Sequence, residues 1–147
     1  MNPSRHRGFT LIELMVAVTI VALLGAIALP GYGEVIRRAQ RQDARLALME
    51  LQHELERHYL RSFTYTDRIT EPRDAGGLGY RDLSRSGDYR LSVRLREDGQ
   101  GYLAEAMPEA GGRQARDTQC ARFTVDEKGL RTATDTGGTD TTAPCWR

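Results

Sequence analysis

GFTLIELMVAVTIVALLGAIALP, residues 8–30, contains 21 successive residues, Phe9 to Leu29, of which only Glu13 is charged. As a helix this run would be about 31 Å long at about 1.5 Å per residue, close to the hydrocarbon thickness of a bilayer. A short leader, MNPSRHRG, precedes it and carries Arg5, His6 and Arg7. Positive charge on that side keeps the leader in the cytoplasm, so the chain beyond Pro30 is placed outside, where disulfides persist. Cys120 and Cys145 are the only cysteines, and in an exported domain such a pair reads as a disulfide.

The rest of the chain is polar. The 147 residues carry a net charge of +1, and removing Arg5 and Arg7 with the leader brings the balance slightly negative. That near balance makes no global case for nucleic acid or an acidic substrate. Every basic residue except Lys128 is arginine, which reads as a compositional bias. A chain of this size builds one small domain plus an appendage, and its modest core favours a covalent staple.

Glu13 is the anomaly in the apolar run, because acids in lipid are costly and usually partnered. Phe9 lies four residues earlier, on the same helical face. A cut between Gly8 and Phe9 would give Phe9 a free α-ammonium able to pair with Glu13, in its own chain or in a neighbour. The plainer alternative leaves Glu13 at headgroup level. Ala26-x-Ala28 also matches ordinary signal cleavage, but the run is long for that purpose and continues into a second helical pattern.

Gly8-Phe9-Thr10-Leu11-Ile12-Glu13-Leu14, with the short Arg-containing leader and Pro30, resembles the cleavage and methylation motif of type IV pilins and their pseudopilin relatives. The resemblance implies cleavage after Gly8 by a prepilin peptidase and N-methylation of Phe9 by the same enzyme. It implies an inner-membrane precursor, N-terminus cytoplasmic and head periplasmic, that an assembly platform transfers from membrane lipid into an extracellular filament. There Glu13 would face the terminal amine of a neighbouring subunit. Pro30 removes a backbone donor and kinks a helix; the family reading is a segment that unwinds on assembly.

From Val35 to Arg61 no proline intervenes. Ile36, Ala44, Ala47, Leu48, Leu51, Leu55 and Tyr59 form one apolar stripe at 3-and-4 spacing, on which a head should pack. Glu50, Glu54 and Glu56 lie beside arginines at helical spacing, which predicts local ion pairs. His53 and His58 in HELERH are five apart, not four, so they do not share a face as zinc ligands would.

Residues 62–87 show no period and read as a long loop, which often marks function or an interface. Asp88–Arg96 alternates, with Tyr89, Leu91, Val93 and Leu95 inward and Arg90, Ser92, Arg94 and Arg96 outward. Tyr102–Met107, Ala121–Val125 and Leu130–Ala133 follow as strands separated by turns. The predicted fold class is α+β: a long N-terminal helix packed on a small antiparallel meander, closed by a Cys120–Cys145 loop. The predicted divisions are a leader 1–8, an apolar helix 9–30, an amphipathic half 31–61, and a head 62–147, with strands within 88–133 and a disulfide loop 120–145. Gln114-x-x-Asp117-x-x-Cys120 and Cys145-Trp146 further resemble one group of minor pilins.

Catalytic patterns fail on context. Gly99-x-Gly101-x-x-Ala104 leads into a strand rather than a helix, and Asp135-Thr136-Gly137 has no second carboxylate placed to share a proton. The expectation is a structural subunit with no catalytic site, cofactor or metal: a minor pilin serving assembly, twitching motility or adhesion, with other pilins as partners. One alternative is a type II secretion pseudopilin, in which Asp135 and Asp140 would mimic a calcium loop. Another is a DNA-uptake pilin, in which Arg85, Arg90, Arg94 and Arg96 would meet phosphates.

Overall fold

The computed structural model describes residues 9–147, without the side chains of residues 27–31 and 97. The leader, Gly8 included, lies outside the described residues. The fold begins with helix α1, Leu11–Ser62. By its internal contacts the chain divides into two units, one ending at Ile36 and the other Arg37–Arg147.

In the first unit the helical assignment continues through position 30, while the Pro30 side chain lies outside the description. Leu11, Ile12, Leu14, Val18, Val21, Leu23 and Leu24 are each more than half exposed, Leu11 at 78%. Among the described residues, no helix is long and apolar enough to cross a membrane. Ile36, expected on the core stripe, is 39% exposed.

The second unit is α+β. Four strands follow the helix: β1 Tyr89–Arg96, β2 Gly101–Pro108, β3 Arg122–Asp126 and β4 Arg131–Thr134. They form one antiparallel sheet in chain order. The alternation that identified β1 places Tyr89, Leu91 and Val93 inward, but Leu95 is 40% exposed where the strand outruns the core. Tyr102, Ala104 and Ala106 of β2, Phe123 and Val125 of β3 and Ala133 of β4 complete the inner face. These side chains form one cluster with Ala44, Ala47, Leu48, Leu51 and Leu55 of α1. The alanines leave room for the helix, and the leucines supply the apolar area that drives the packing.

The long connection is irregular but tied down. Tyr65, Ile69 and Leu78 enter the core, and Leu78 N–H donates to the Arg68 carbonyl and Tyr80 N–H to that of Ile69, at 2.9 and 2.8 Å. An aperiodic spacing of three anchors carries no strand or helix signature, so its sequence reads as loop. Gly77 is the tightest point: an added Cβ would lie 2.1 Å from the Glu71 carbonyl oxygen. Gly77→Ala is therefore expected to lower unfolding stability by about 1–3 kcal/mol through backbone displacement around Leu78. Chemical unfolding of the full chain in detergent checks this, with Gly87→Ala as a comparison that carries left-handed backbone strain (φ 77°) but has no atom near the added methyl group.

The tail is also more ordered than a polar loop. Thr134 pairs with Asp140 in an isolated bridge, and a short helix α2, Thr142–Cys145, returns Cys145 to Cys120. The disulfide is formed, with Cα atoms 5.8 Å apart and both residues fully buried. Trp146 then donates its indole N–H to the Thr132 carbonyl at 2.9 Å and stacks edge-on with Phe123.

Candidate functional site

At the start of α1, Thr10 precedes the first helical turn and Glu13 lies within it. Glu13 Oε2 accepts the Thr10 N–H at 3.0 Å and the Thr10 hydroxyl at 2.8 Å, while Glu13 N–H donates to Thr10 Oγ1 at 3.3 Å. This is a reciprocal capping box, which satisfies helix-end donors that otherwise lack partners. Its signature, Thr-x-x-Glu, stands in the sequence at Thr10–Glu13. Glu13 is thus brought to Thr10 within the chain. Phe9, 82% exposed, has its α-nitrogen in a peptide bond to Gly8, so the proposed amine pairing belongs to the cleaved chain.

A second constellation sits where the head closes on the helix. Arg41 Nε donates to Asp117 Oδ2 at 2.6 Å and Nη2 to Oδ1 at 2.9 Å; Nη2 also reaches Gln119 Oε1 at 3.2 Å. The two side chains are only 4% and 2% exposed. Asp117 Oδ1 also accepts the Cys120 N–H at 3.2 Å, and the fully buried Gln114 donates to the Arg37 carbonyl at 3.0 Å. The residues of Gln114-x-x-Asp117-x-x-Cys120 therefore bind the disulfide corner to α1. A buried charge needs this degree of satisfaction to be tolerated. Arg41 itself was not singled out by sequence, because charge on a helix reads first as a solvated face.

The outward arginines of β1 are largely neutralised. Arg90 makes a two-pronged contact with Glu109 at 2.8 and 3.1 Å and reaches Asp82 at 2.7 Å, which hold its guanidinium above its usual pKa. Arg94 pairs with Glu105, and Arg85 with Glu50 at 3.1 Å. Among the described residues, Arg96 has no carboxylate partner, nor do Arg116 and Arg122. Arg94, Arg96 and Arg122 rim a groove of about 310 Å³ on the outer sheet face, floored by Thr124 and Thr132.

The helix acids reach the head more than they pair along the helix. Glu50 accepts the Tyr80 hydroxyl and Arg81, each at 2.6 Å. Glu54 joins Arg57 locally and Arg73 across the connection, both at 2.9 Å. Burial and the Glu50 carboxylate together push the Tyr80 hydroxyl up to about 12. Burial first, then Glu56, does the same at Tyr65.

Asp135 and Asp140 do not form a cation site. Asp135 Oδ1 accepts the N–H groups of Gly137 and Thr139, both at 2.8 Å, and Asp140 caps Thr142 N–H at 2.8 Å. These are turn-forming contacts that use the carboxylates locally. Among the described residues, no group of acids, histidines or cysteines could hold a metal ion.

Comparison with known proteins follows the same lines. Residues 30–124 match the family described as "Type IV minor pilin ComP, DNA uptake sequence receptor", and residues 3–29 match the "Prokaryotic N-terminal methylation motif". The type IV major pilin protein PilA of Myxococcus xanthus is 35% identical over 59% of this chain and 41% of its own length. A type IV major pilin protein PilE1 of Neisseria gonorrhoeae is 43% identical over 72% of this chain and 55% of its own. The chain thus spans about half the length of these relatives. A type IV pilin structure from Shewanella oneidensis aligns with a TM-score of 0.46 at 27% identity, covering 65% of this chain and 89% of that one. With the methylation motif at its start and the pilin family matched over most of the remainder, the chain belongs to the type IV pilins.

Proposed function

We propose that this chain is a minor subunit of a type IV pilus, cleaved after Gly8, methylated on Phe9 and held in the inner membrane by Phe9–Leu29 until assembly. The observation that carries this reading is the uncovered apolar surface of the first unit: Leu11, Ile12, Val21 and Leu24 are between 63% and 78% exposed. A contiguous apolar face of that extent needs lipid or other helices around it. A bilayer and a filament core of like helices are the two environments that supply them. The work of the molecule is then assembly rather than catalysis. An epitope-tagged chain is expected in sheared pili at a small fraction of the major subunit. Deletion should abolish twitching and leave exoprotein secretion intact; intact twitching with lost secretion would instead assign the chain to a secretion pseudopilus. The turn contacts of Asp135 and Asp140 favour the pilus.

A second reading, DNA uptake, is favoured by the family match over residues 30–124. The arginines that support it are Arg96 and Arg122, not the carboxylate-paired Arg85, Arg90 and Arg94. Duplex DNA should bind the full chain with a steep inverse dependence on salt. Arg96→Gln with Arg122→Gln should weaken binding and flatten that dependence; absence of binding at low salt would refute this reading.

A further inference from the structure

The base of the head carries a basic cleft that neither assembly nor the sheet-face arginines use. Arg38, Arg41 and Arg45 fall on one face of α1, within about 60° of each other at about 100° per residue. Across from them lie Gln119, Cys145 and Arg147, and together these residues line a cleft of about 250 Å³. Four arginines, Arg38, Arg41, Arg45 and Arg147, contribute to that lining. Asp117 is committed to Arg41 through both of its oxygens.

Arg45 is the informative member. Its Nε is buried without a hydrogen-bond partner among the described residues, and one Nη donates to the main-chain oxygen of Arg147. A buried guanidinium N–H left unpaired is costly, and an oxyanion paired with the same guanidinium from the cleft side would offset that cost. Burial and the neighbouring Arg41 charge lower the Arg45 pKa, a stress that an anion in the cleft would also remove. Planar guanidinium donors lining one cleft suit the oxygens of a phosphate group.

We infer that this cleft binds a phosphate-type oxyanion, and that its source is the headgroup of an anionic phospholipid around the membrane-held subunit. The assignment to lipid rests on the proposed membrane stage. Arg38 follows the apolar run by nine residues, so the α1 side of the cleft lies close to the run in sequence, and juxtamembrane basic clusters are attracted to anionic lipid surfaces. Binding there would hold the head against the bilayer until extraction into a filament removes the lipid.

The test uses the full chain in nanodiscs of phosphatidylcholine alone or with phosphatidylglycerol, and Trp146, the sole tryptophan, as reporter beside Cys145. In phosphatidylcholine discs, inorganic phosphate is expected to change Trp146 emission saturably. Arg45→Gln should weaken that response by about tenfold, the loss of one charge-assisted contact, whereas Arg116→Gln should leave it unchanged. In phosphatidylglycerol discs the emission should already be shifted and free phosphate should add nothing. No response in the native chain, or an equal one in Arg45→Gln, overturns the site. A phosphate response of the same size in both discs overturns the lipid source. Insertion into phosphatidylcholine discs is scored separately, so a chain that fails to insert counts against the membrane reading and not against the cleft.

Discussion

Asp117→Ala is expected to lower the stability of the head by about 3–5 kcal/mol, the usual result of stripping one partner from a buried ion pair. The variant strips the carboxylate from the Arg41 guanidinium, which is only 4% exposed and keeps the neutral Gln119 amide oxygen as an acceptor. It also removes the acceptor of the Cys120 N–H, so the disulfide corner is left with the Gln114 and Gln119 contacts to α1. Against a typical total of about 5–15 kcal/mol, such a loss brings the domain near its unfolding threshold. Urea unfolding of the full chain in detergent, followed by Trp146 emission, measures it. Arg41→Ala with Asp117→Ala should cost less than the sum of the single variants, because the double variant buries no unpaired charge. Strict additivity would show that the two residues act independently, against the geometry.

Glu13→Ala is expected to leave cleavage after Gly8 largely intact and to remove most of the chain from sheared pili. In the proposed maturation the peptidase would act upstream of the residue, whereas entry into a filament would need the carboxylate opposite the amine created by the cut. The capping box refines this expectation. In the uncut chain the carboxylate accepts two donors from Thr10, so the proposed membrane stage would begin with the acid already partnered. Thr10→Val removes the hydroxyl but keeps the backbone donor, and should reduce incorporation less than Glu13→Ala does. Immunoblots of membrane and sheared-pilus fractions read both variants, with Gly8→Val as the uncut control. Normal incorporation of Glu13→Ala would refute the pairing.

Much of this architecture can be read from periodicity. The stripe from Ala44 to Leu55 and the alternation of Tyr89, Leu91 and Val93 reappear as the two halves of the core, because burial on one face imposes its period on the sequence. The ends of those patterns were less legible. Ile36 and Leu95 continue the spacing but are exposed, since periodicity states which way a side chain points and not whether anything lies opposite. Tyr65, Ile69 and Leu78 were invisible for the converse reason: an irregular backbone delivers them to the core without a repeat. Charge was hardest to interpret. Arg90 and Arg94 look available on a strand face until Glu109 and Glu105 are seen beside them, and Arg41 looks solvated until Asp117, 76 residues later, encloses it.

The chain-order sheet has a consequence for how this head can diverge. Each strand pairs only with its neighbours in sequence, so lengthening a turn changes no other pairing. The turn at Gly111 and the bend at Gly138 are open, with no atom near either glycine's missing side chain. The sheet register and helix docking are set away from Gly111, whereas the Gly138 bend is held by the Thr134–Asp140 bridge and the Asp135 turn. The Gly111 turn is therefore where length and surface chemistry can change at little cost to the frame, and where a foreign peptide can be displayed while the subunit still folds.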